Sequence, residues 1–208
     1  MFAVFEDTAT TKSYACRFGG SVRCVDVTGN GAGKTTFYER FLARRKIPLV
    51  NADNIARSMW PDAPEKHSYE AALIAERERL RLIEERQTFC FETVFSHPSK
   101  VDFVGTAKAA GFRVRMFYFH LELPSLNKAR VASRVTAGGH NVPEAKIESR
   151  IPRTLANLRQ CIGLADELHL VDNSRLDQPY VRVAVCENGQ WCALQDNLPQ
   201  WASDLIDR

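Results

Sequence analysis

The residues most able to do chemistry begin with a glycine-rich run, TGNGAGKTT, at positions 28–36. It follows the apolar run VRCVDV, and its end matches the pattern G-x-x-x-x-G-K-[ST], although Thr28 occupies the first glycine position. Backbone N–H groups and a helix N-terminus bind phosphate here, Lys34 reaches the β- and γ-phosphates, and Thr35 offers a hydroxyl to Mg²⁺. The run predicts a nucleotide site made by Gly29, Asn30, Gly31, Ala32, Gly33, Lys34, Thr35 and Thr36.

Three classes of protein that commonly use this loop are excluded, because the sequence lacks their other motifs. A GTPase needs N/T-K-x-D, but the closest run, residues 127–130, ends in Arg130. No LSGGQ-like signature of an ABC-type ATPase occurs, and the acidic pair of large motors is missing because Glu92 is followed by Thr93. A small kinase remains.

Acidic residues end two predicted strands. Asp53 in VNADNIAR follows the second strand, and Glu92 ends the third, so both lie at the edge of the sheet where the phosphate loop opens. Asp53 is either the general base for an attacking hydroxyl or a helix N-cap. Glu92 could hold a Mg²⁺-bound water or a substrate hydroxyl, or pair with an arginine.

Glu76 interrupts an apolar stripe on the predicted helix 65–86. The inward face is expected to contain Tyr69, Ala72, Leu73, Glu76, Leu80 and Ile83. A carboxylate on that face is costly unless it is paired. Glu76 therefore either faces the substrate cleft or pairs with an internal arginine.

Arginines gather on two predicted helices joined by a glycine turn, between residues 130 and 153. Arg130 and Arg134 lie one turn apart before Gly138-Gly139, and Arg150 and Arg153 follow it. This pattern predicts a closing lid whose arginines neutralise charge on a transferring phosphoryl group, Arg134 first and Arg150 next. The alternative is that some are ordinary surface arginines.

The elements that must position these residues alternate between strand and helix, which predicts an α/β fold with a parallel sheet covered on both faces. Residues 1–21 could form a hairpin or be loose. The predicted strands are 22–27, 47–51, 88–93, 112–120 and 167–172, and the helices are 34–45, 65–86, 98–110, 123–136 and 143–163, followed by a β-hairpin and a closing helix.

Composition narrows the class of protein. The 208 residues fit one domain, and 45% hydrophobic with 25% charged residues is typical of a globular protein. A net charge of +3 is too small to argue for nucleic acid, and no apolar run is long enough to span a membrane. The start has no basic region of a signal peptide, so a cytoplasmic protein is expected.

Six cysteines form neither a CxxC nor a zinc-binding pattern. An Asn188-Gly189 turn would place Cys186 opposite Trp191 rather than Cys192, so no disulfide is predicted between the two cysteines. This fits a reducing compartment.

Five motifs together resemble the zeta-toxin family of P-loop kinases, in particular its stand-alone bacterial branch. They are GNGAGKTTF, VNADNIA, FCFETVFS, the RVxxRVxxGGHNVPExKI run and LVDNS, and the resemblance covers residues 22–175. It implies a nucleoside-kinase type of fold with a five-stranded parallel sheet and a lid. Toxin members phosphorylate UDP-N-acetylglucosamine on a sugar hydroxyl, with ATP and Mg²⁺.

The resemblance also implies roles for single residues. Lys34, Thr35, Arg130 and Arg150 bind ATP, with Thr35 on Mg²⁺, and Asp53 is the general base beside a catalytic Lys34 and Arg134. The substrate-binding set is Asn51, Asp53, Glu76, Glu92, Thr93 and Ser96. An antitoxin partner is implied as well.

The chain departs from the family in three places. Thr28-Gly29 stand where the branch has Gly-Pro, and the second lid arginine of the toxins falls near His140, so Arg150 or Arg153 takes its role or it is absent. Residues 1–21 have no counterpart, which predicts an N-terminal extension before a kinase domain at 22–208 with a lid at about 130–153.

Two other functions stay open. The acceptor could be a nucleoside, a dinucleotide or a 5′-hydroxyl nucleic acid, although a nucleic-acid end needs a basic groove with stacking aromatics and the dense basic cluster, residues 40–46, lies on the first predicted helix. Alternatively, the protein is a non-catalytic ATP-binding module, against which the intact Lys34, Asp53 and Arg134 argue.

Overall fold

The computed structural model describes residues 2–7, 37–39, 43, 46–121, 144–175 and 177–207. These residues form seven strands and five α-helices. In chain order they are β1 Phe2–Asp7, β2 Leu49–Val50, α1 Ala52–Met59, a 3-10 helix at Pro64–His67, α2 Ser68–Glu84, β3 Phe89–Glu92, α3 Ser99–Ala109, β4 Phe112–His120, α4 Glu144–Cys161, β5 Glu167–Asp172, β6 Val181–Glu187, β7 Gln190–Ala193 and α5 Gln200–Ile206.

The strands form one mixed sheet in the order β2-β3-β1-β4-β5-β6-β7. β2 pairs parallel with β3, and β4 pairs parallel with β5. β1 is antiparallel to both β3 and β4, so β2, β3, β4 and β5 all point the same way. Their carboxyl ends therefore meet at one edge of the sheet, where ligands bind in open α/β folds.

The described residues do not confirm a sheet of five parallel strands. Four strands are parallel, and the position between β3 and β4 is filled by Phe2–Asp7 in the opposite direction. A central position needs a strand with hydrogen-bonding partners on both edges, which the apolar FAVFED segment provides. The predicted strand 22–27 lies outside the described residues, whereas part of the predicted N-terminal extension lies inside the sheet.

Two apolar clusters cover the two faces of the sheet, as predicted for a buried α/β sheet. Helices α2, α3, α4 and α5 pack on the face that carries Phe89 and Phe91. Phe37 packs with Cys90 and Phe119 on the other face. The predicted bounds of β4 and β5 are confirmed, and Gly111 ends α3 at a φ of 84°, as its position after the last turn predicts.

The hairpin β6–β7 turns at Asn188-Gly189, where both residues have positive φ, 50° and 81°. Cys186 pairs with Trp191, as predicted, and Cys192 pairs with Val185. Both cysteines are free thiols, which confirms the absence of a disulfide between them. No helix among the described residues is both long and apolar enough to cross a membrane.

A buried charged cluster joins the start of β5 to β4. Glu167 accepts hydrogen bonds from Arg115 (2.8 Å) and Arg113 (2.7 Å) on one oxygen, and its other oxygen lies 3.1 Å from Nε2 of His169. Burial alone would raise the pKa of Glu167, but hydrogen bonds with His169 and Arg115 and their charges outweigh it and lower the pKa to about 2. The ionised carboxylate is therefore the form that the fold stabilises.

We expect Glu167→Gln to make the free energy of unfolding depend less on pH in the acidic range. Because the folded-state pKa lies below the unfolded value, the ionised Glu167 stabilises the fold above pH ~4.5, by up to about 3 kcal/mol, and this is lost as pH falls towards 2. Urea unfolding between pH 2.5 and 7 measures the difference between the two proteins. Parallel profiles for wild type and variant over that window would contradict this account of the cluster.

Candidate active site

Asn51 links the ends of two parallel strands. It follows β2, is only 5% exposed, and its Oδ1 accepts a hydrogen bond from the backbone N–H of Asn54, which makes it the N-cap of α1. Its Nδ2 donates to Oε2 of Glu92 over 2.7 Å. One amide thus fixes both the start of α1 and the carboxylate that ends β3. Asn51 and Glu92, both members of the substrate-binding set that the resemblance implied, therefore lie in contact.

Asp53 is the second residue of α1, beside this pair, and it is exposed. The alternative that Asp53 is the helix N-cap is wrong, because Asn51 has that role. Arg57 donates to the backbone carbonyl of Asp53, not to its side chain. Within the described part of the chain the Asp53 carboxylate has no hydrogen-bond partner, which leaves it available to accept a proton.

The loop after β3 carries Thr93 and Ser96, both half-buried. Phe95 between them is fully buried and has a φ of 53°, a left-handed conformation that is strained for a phenylalanine. The Thr93 hydroxyl lies 3.5 Å from the backbone N–H of Phe95. Such strain persists where the surroundings enforce it, and it is found often at functional sites.

Two buried polar residues of α4, which the sequence did not predict as functional, hold the backbone of this loop in place. Thr154 donates to the carbonyl of Val94 over 2.9 Å, and Asn157 donates to the carbonyl of Phe95 over 2.8 Å. Thr154 is fully buried and Asn157 is 5% exposed. They share the buried face of α4 with Leu158. Polar residues on an otherwise apolar helix face were therefore the sequence feature from which these two anchors could have been predicted.

The predicted inward face of α2 is confirmed only at Ile83 and is otherwise wrong. Tyr69 is 73% exposed, Leu73 37% and Leu80 41%, and Glu76 lies on the same outer face. The buried residues of α2 are Ala71, Ala75, Arg79, Leu82 and Ile83. Small alanines permit close packing, and Arg79 buries its stem against aromatic rings, so the helix turns a different stripe inward.

Glu76 nevertheless lies near a buried arginine, Arg79, although the two side chains do not form the predicted pair among the described residues. Its negative charge raises the pKa of Arg79, although burial of the guanidinium, the larger effect, lowers it. Glu76 is exposed and makes no ion pair with Arg79 among the described residues. Its role towards a substrate stays a prediction.

The described half of the predicted lid distinguishes Arg150 from Arg153. Arg153 donates to the carbonyl and hydroxyl of Ser149 on its own helix. Arg150 is half-buried and has no such bond within the described ranges. Arg130 and Arg134, and the predicted phosphate-binding residues 29–36, lie outside the described residues.

The LVDNS motif shapes the turn after β5, at the same edge. Asp172 accepts a hydrogen bond from the N–H of Ser174 (2.8 Å), and Oδ1 of Asn173 accepts one from the N–H of Tyr180 (3.1 Å). The N–H of Asn173 donates to the carbonyl of His120 at the end of β4. The motif thereby gives this part of the edge a fixed backbone.

An α/β sheet whose parallel strands end at one polar edge, with a phosphate-loop pattern in the chain, defines the P-loop NTPase type of protein. The family model described as an AAA domain matches residues 29–154, more than half of the chain. The chain belongs to this AAA domain family.

Two further comparisons agree with this class. The chain is 30% identical over 122 residues to an uncharacterized protein of Haemophilus influenzae, covering 58% of this chain and 86% of that protein. Its fold is similar to that of a chain from the PezAT chromosomal toxin–antitoxin system of Streptococcus pneumoniae, with a TM-score of 0.56 and 12% identity over 87% of this chain and 80% of that one. The chain therefore shares its fold with a chain of a toxin–antitoxin system, in agreement with the fold that the resemblance implied.

Proposed function

We propose that this protein is an ATP-dependent kinase that transfers the γ-phosphoryl group to a hydroxyl of a small molecule, a UDP-amino sugar such as UDP-N-acetylglucosamine. The observation that carries the proposal is the exposed carboxylate of Asp53, without a hydrogen-bond partner among the described residues, two positions after the Asn51 that donates to Glu92. A free base beside a fixed carboxylate suits phosphoryl transfer to an alcohol.

Each residue then has a defined task. Asp53 accepts the proton of the attacking hydroxyl, and Glu92, oriented by Asn51, holds a neighbouring hydroxyl of the acceptor. Arg134, with Arg150 on α4, neutralises charge on the transferring group. Thr93 and Ser96 in the loop after β3, and Glu76 on α2, complete the acceptor site.

The nucleotide is assigned to residues 29–36, Arg130 and Arg150. The donor set fits a phosphate chain, because it combines consecutive backbone N–H groups with the charge of Lys34. Mg²⁺ keeps most of its ligands as waters and phosphate oxygens, so the single hydroxyl of Thr35 is a sufficient protein ligand. When bound, the ion offsets negative charge on the phosphates.

The domain assignment is a proposal of the same kind. Residues 22–208, together with Phe2–Asp7 at the centre of the sheet, form the kinase domain, and residues 130–153 close over the nucleotide as a lid. The likeness to a toxin–antitoxin chain makes an antitoxin a candidate protein partner that blocks the nucleotide site.

The test is ADP release from Mg²⁺·ATP with a set of acceptors. UDP-N-acetylglucosamine, UDP-glucose, a nucleoside and a 5′-hydroxyl oligonucleotide are compared, with Lys34→Ala as the control that removes the predicted phosphate contact. We expect stimulation by the UDP-amino sugar, abolished in Lys34→Ala, and a phosphorylated sugar product by mass spectrometry.

The other outcomes assign the alternatives. Stimulation by the nucleoside or the oligonucleotide instead would retain the kinase and replace its acceptor. ATP binding without turnover for every acceptor would favour the non-catalytic module and contradict the proposal.

A further inference from the structure

Arg79 of α2 is a buried cation held between two aromatic rings. It is 5% exposed, and its guanidinium carbon lies 4.9 Å from the ring centre of Phe91 on β3 and 5.0 Å from that of Phe103 on α3. The two rings favour a positive charge over their faces. They also fix the plane of the guanidinium, since Phe91 is fully buried and Phe103 is 7% exposed.

The rings accept none of the hydrogen bonds that a guanidinium offers. Nε of Arg79 is buried without a partner, and within the described part of the chain no N–H of this side chain donates a hydrogen bond. Burial of the guanidinium lowers the pKa of Arg79, and the charge of Glu76 opposes this effect. A buried guanidinium whose Nε–H has no acceptor is costly for stability alone, so the arrangement suits a site that an anion completes.

Lys100 brings a second positive charge to the same place. It lies in the first turn of α3, half-buried, and it makes no ion pair among the described residues. Its pKa is lowered by burial and then by the positive charge of Arg79, against the opposing effect of Glu76. Two cations that repel each other, with one exposed carboxylate nearby, form a place of net positive charge.

The position of this cluster relates it to the acceptor. Phe91 is the residue before the end of β3, so Arg79, which lies over its ring, is near the carboxyl end of this strand. It is on the sheet face opposite to Cys90. Lys100 follows the loop that carries Thr93 and Ser96. Arg79 and Lys100 thus lie near the carboxyl edge, close to Glu76 and to the loop of Thr93 and Ser96. By strand alternation Glu92 lies on the other face of the sheet, with Cys90.

We propose that Arg79 and Lys100 form a binding site for the phosphate groups of the acceptor, the diphosphate of a nucleotide sugar. The planar fork of an arginine binds two phosphate oxygens at once, and a lysine adds a point charge. The role towards an acceptor rests on the proposed function. The existence of the anion site does not rest on the proposed function, because the site is defined by the buried guanidinium of Arg79.

The test is calorimetric binding of inorganic pyrophosphate, UDP-N-acetylglucosamine and uridine without ATP. All proteins carry Lys34→Ala, so that the predicted phosphate loop does not bind the probes. Arg79→Met and Lys100→Met are compared with Lys66→Met, which removes an exposed lysine of the 3-10 helix. Methionine retains most of the aliphatic stem of Arg79 and removes the charged guanidinium.

We expect Arg79→Met to weaken pyrophosphate and the UDP-sugar about 10- to 100-fold, as for a lost charged hydrogen bond. Lys100→Met weakens them several-fold, Lys66→Met has no effect, and uridine binding is equal in all proteins. The melting temperature of Arg79→Met stays the same or rises, whereas a purely structural cation–π role predicts a lower melting temperature with unchanged binding. If Arg79→Met does not fold, Arg79→Lys replaces it, with an intermediate loss expected.

Equal affinities in Arg79→Met, Lys100→Met and Lys66→Met would overturn the anion site, as would the lack of measurable pyrophosphate and UDP-sugar binding in the parent protein. If Arg79→Met weakens the binding of pyrophosphate but not that of the UDP-sugar, the site does not serve a nucleotide sugar and this part of the proposal is overturned. Pyrophosphate binding that depends on Arg79, in a protein with no turnover of any acceptor, would support the site and contradict the kinase.

Discussion

Asp53→Asn is expected to reduce kcat for the acceptor about 10²- to 10⁴-fold while the Kd for ATP stays unchanged. The substitution keeps the size and polarity of the side chain and removes its ability to take a proton. Because Asn51 and not Asp53 caps α1, the helix and the Asn51–Glu92 hydrogen bond survive the change. Stability falls only by the loss of one acidic charge in the first turn of a helix, about 0.5 kcal/mol.

The measurement is single-turnover transfer from Mg²⁺·ATP, together with equilibrium binding of ATP. Asp62→Asn is the matched control, because Asp62 is also exposed and lies in the turn after α1. A variant that retains wild-type kcat would show that Asp53 is not the base.

Arg134→Ala is expected to lower kcat about 10³- to 10⁵-fold, the range for an arginine that stabilises a transferring phosphoryl group. The loss concerns the transition state, so the Kd for ATP changes much less than kcat. Arg134→Lys restores little, since a lysine lacks the planar fork that binds two phosphoryl oxygens.

Rapid-quench transfer assays on a series of arginine variants provide the measurement. Arg150→Ala is expected to have an intermediate effect, and Arg153→Ala to be near wild type because Arg153 is occupied by Ser149 on its own helix. If Arg134→Ala is as active as Arg153→Ala, residues 130–153 do not act as a catalytic lid.

Much of the fold follows from local patterns. β4 and β5 are long uninterrupted runs of strand-forming residues, and the end of α3 is marked by Gly111, so their bounds could be predicted from neighbouring residues alone. The meeting of Asn51 and Glu92 was predictable too, because parallel strands end at the same edge.

The rest depends on contacts between distant segments. Nothing local in Phe2–Asp7 indicates that it enters the centre of the sheet, since that pairing depends on the gap between β3 and β4. On α2, one stripe contains Tyr69 and Leu73 and another contains Ala71 and Arg79, and only the rings of Phe91 and Phe103 decide which is buried. Propensity and periodicity contain no information about such partners.

The bonds from Thr154 and Asn157 to the loop after β3 join two parts of the proposed mechanism. α4 has Arg150 near its start and these two anchors further along, so a displacement of the helix pulls on the carbonyls of Val94 and Phe95. Occupation of the nucleotide site and occupation of the acceptor site would then share one conformational equilibrium. By thermodynamic linkage, each substrate would then change the affinity for the other by the same factor.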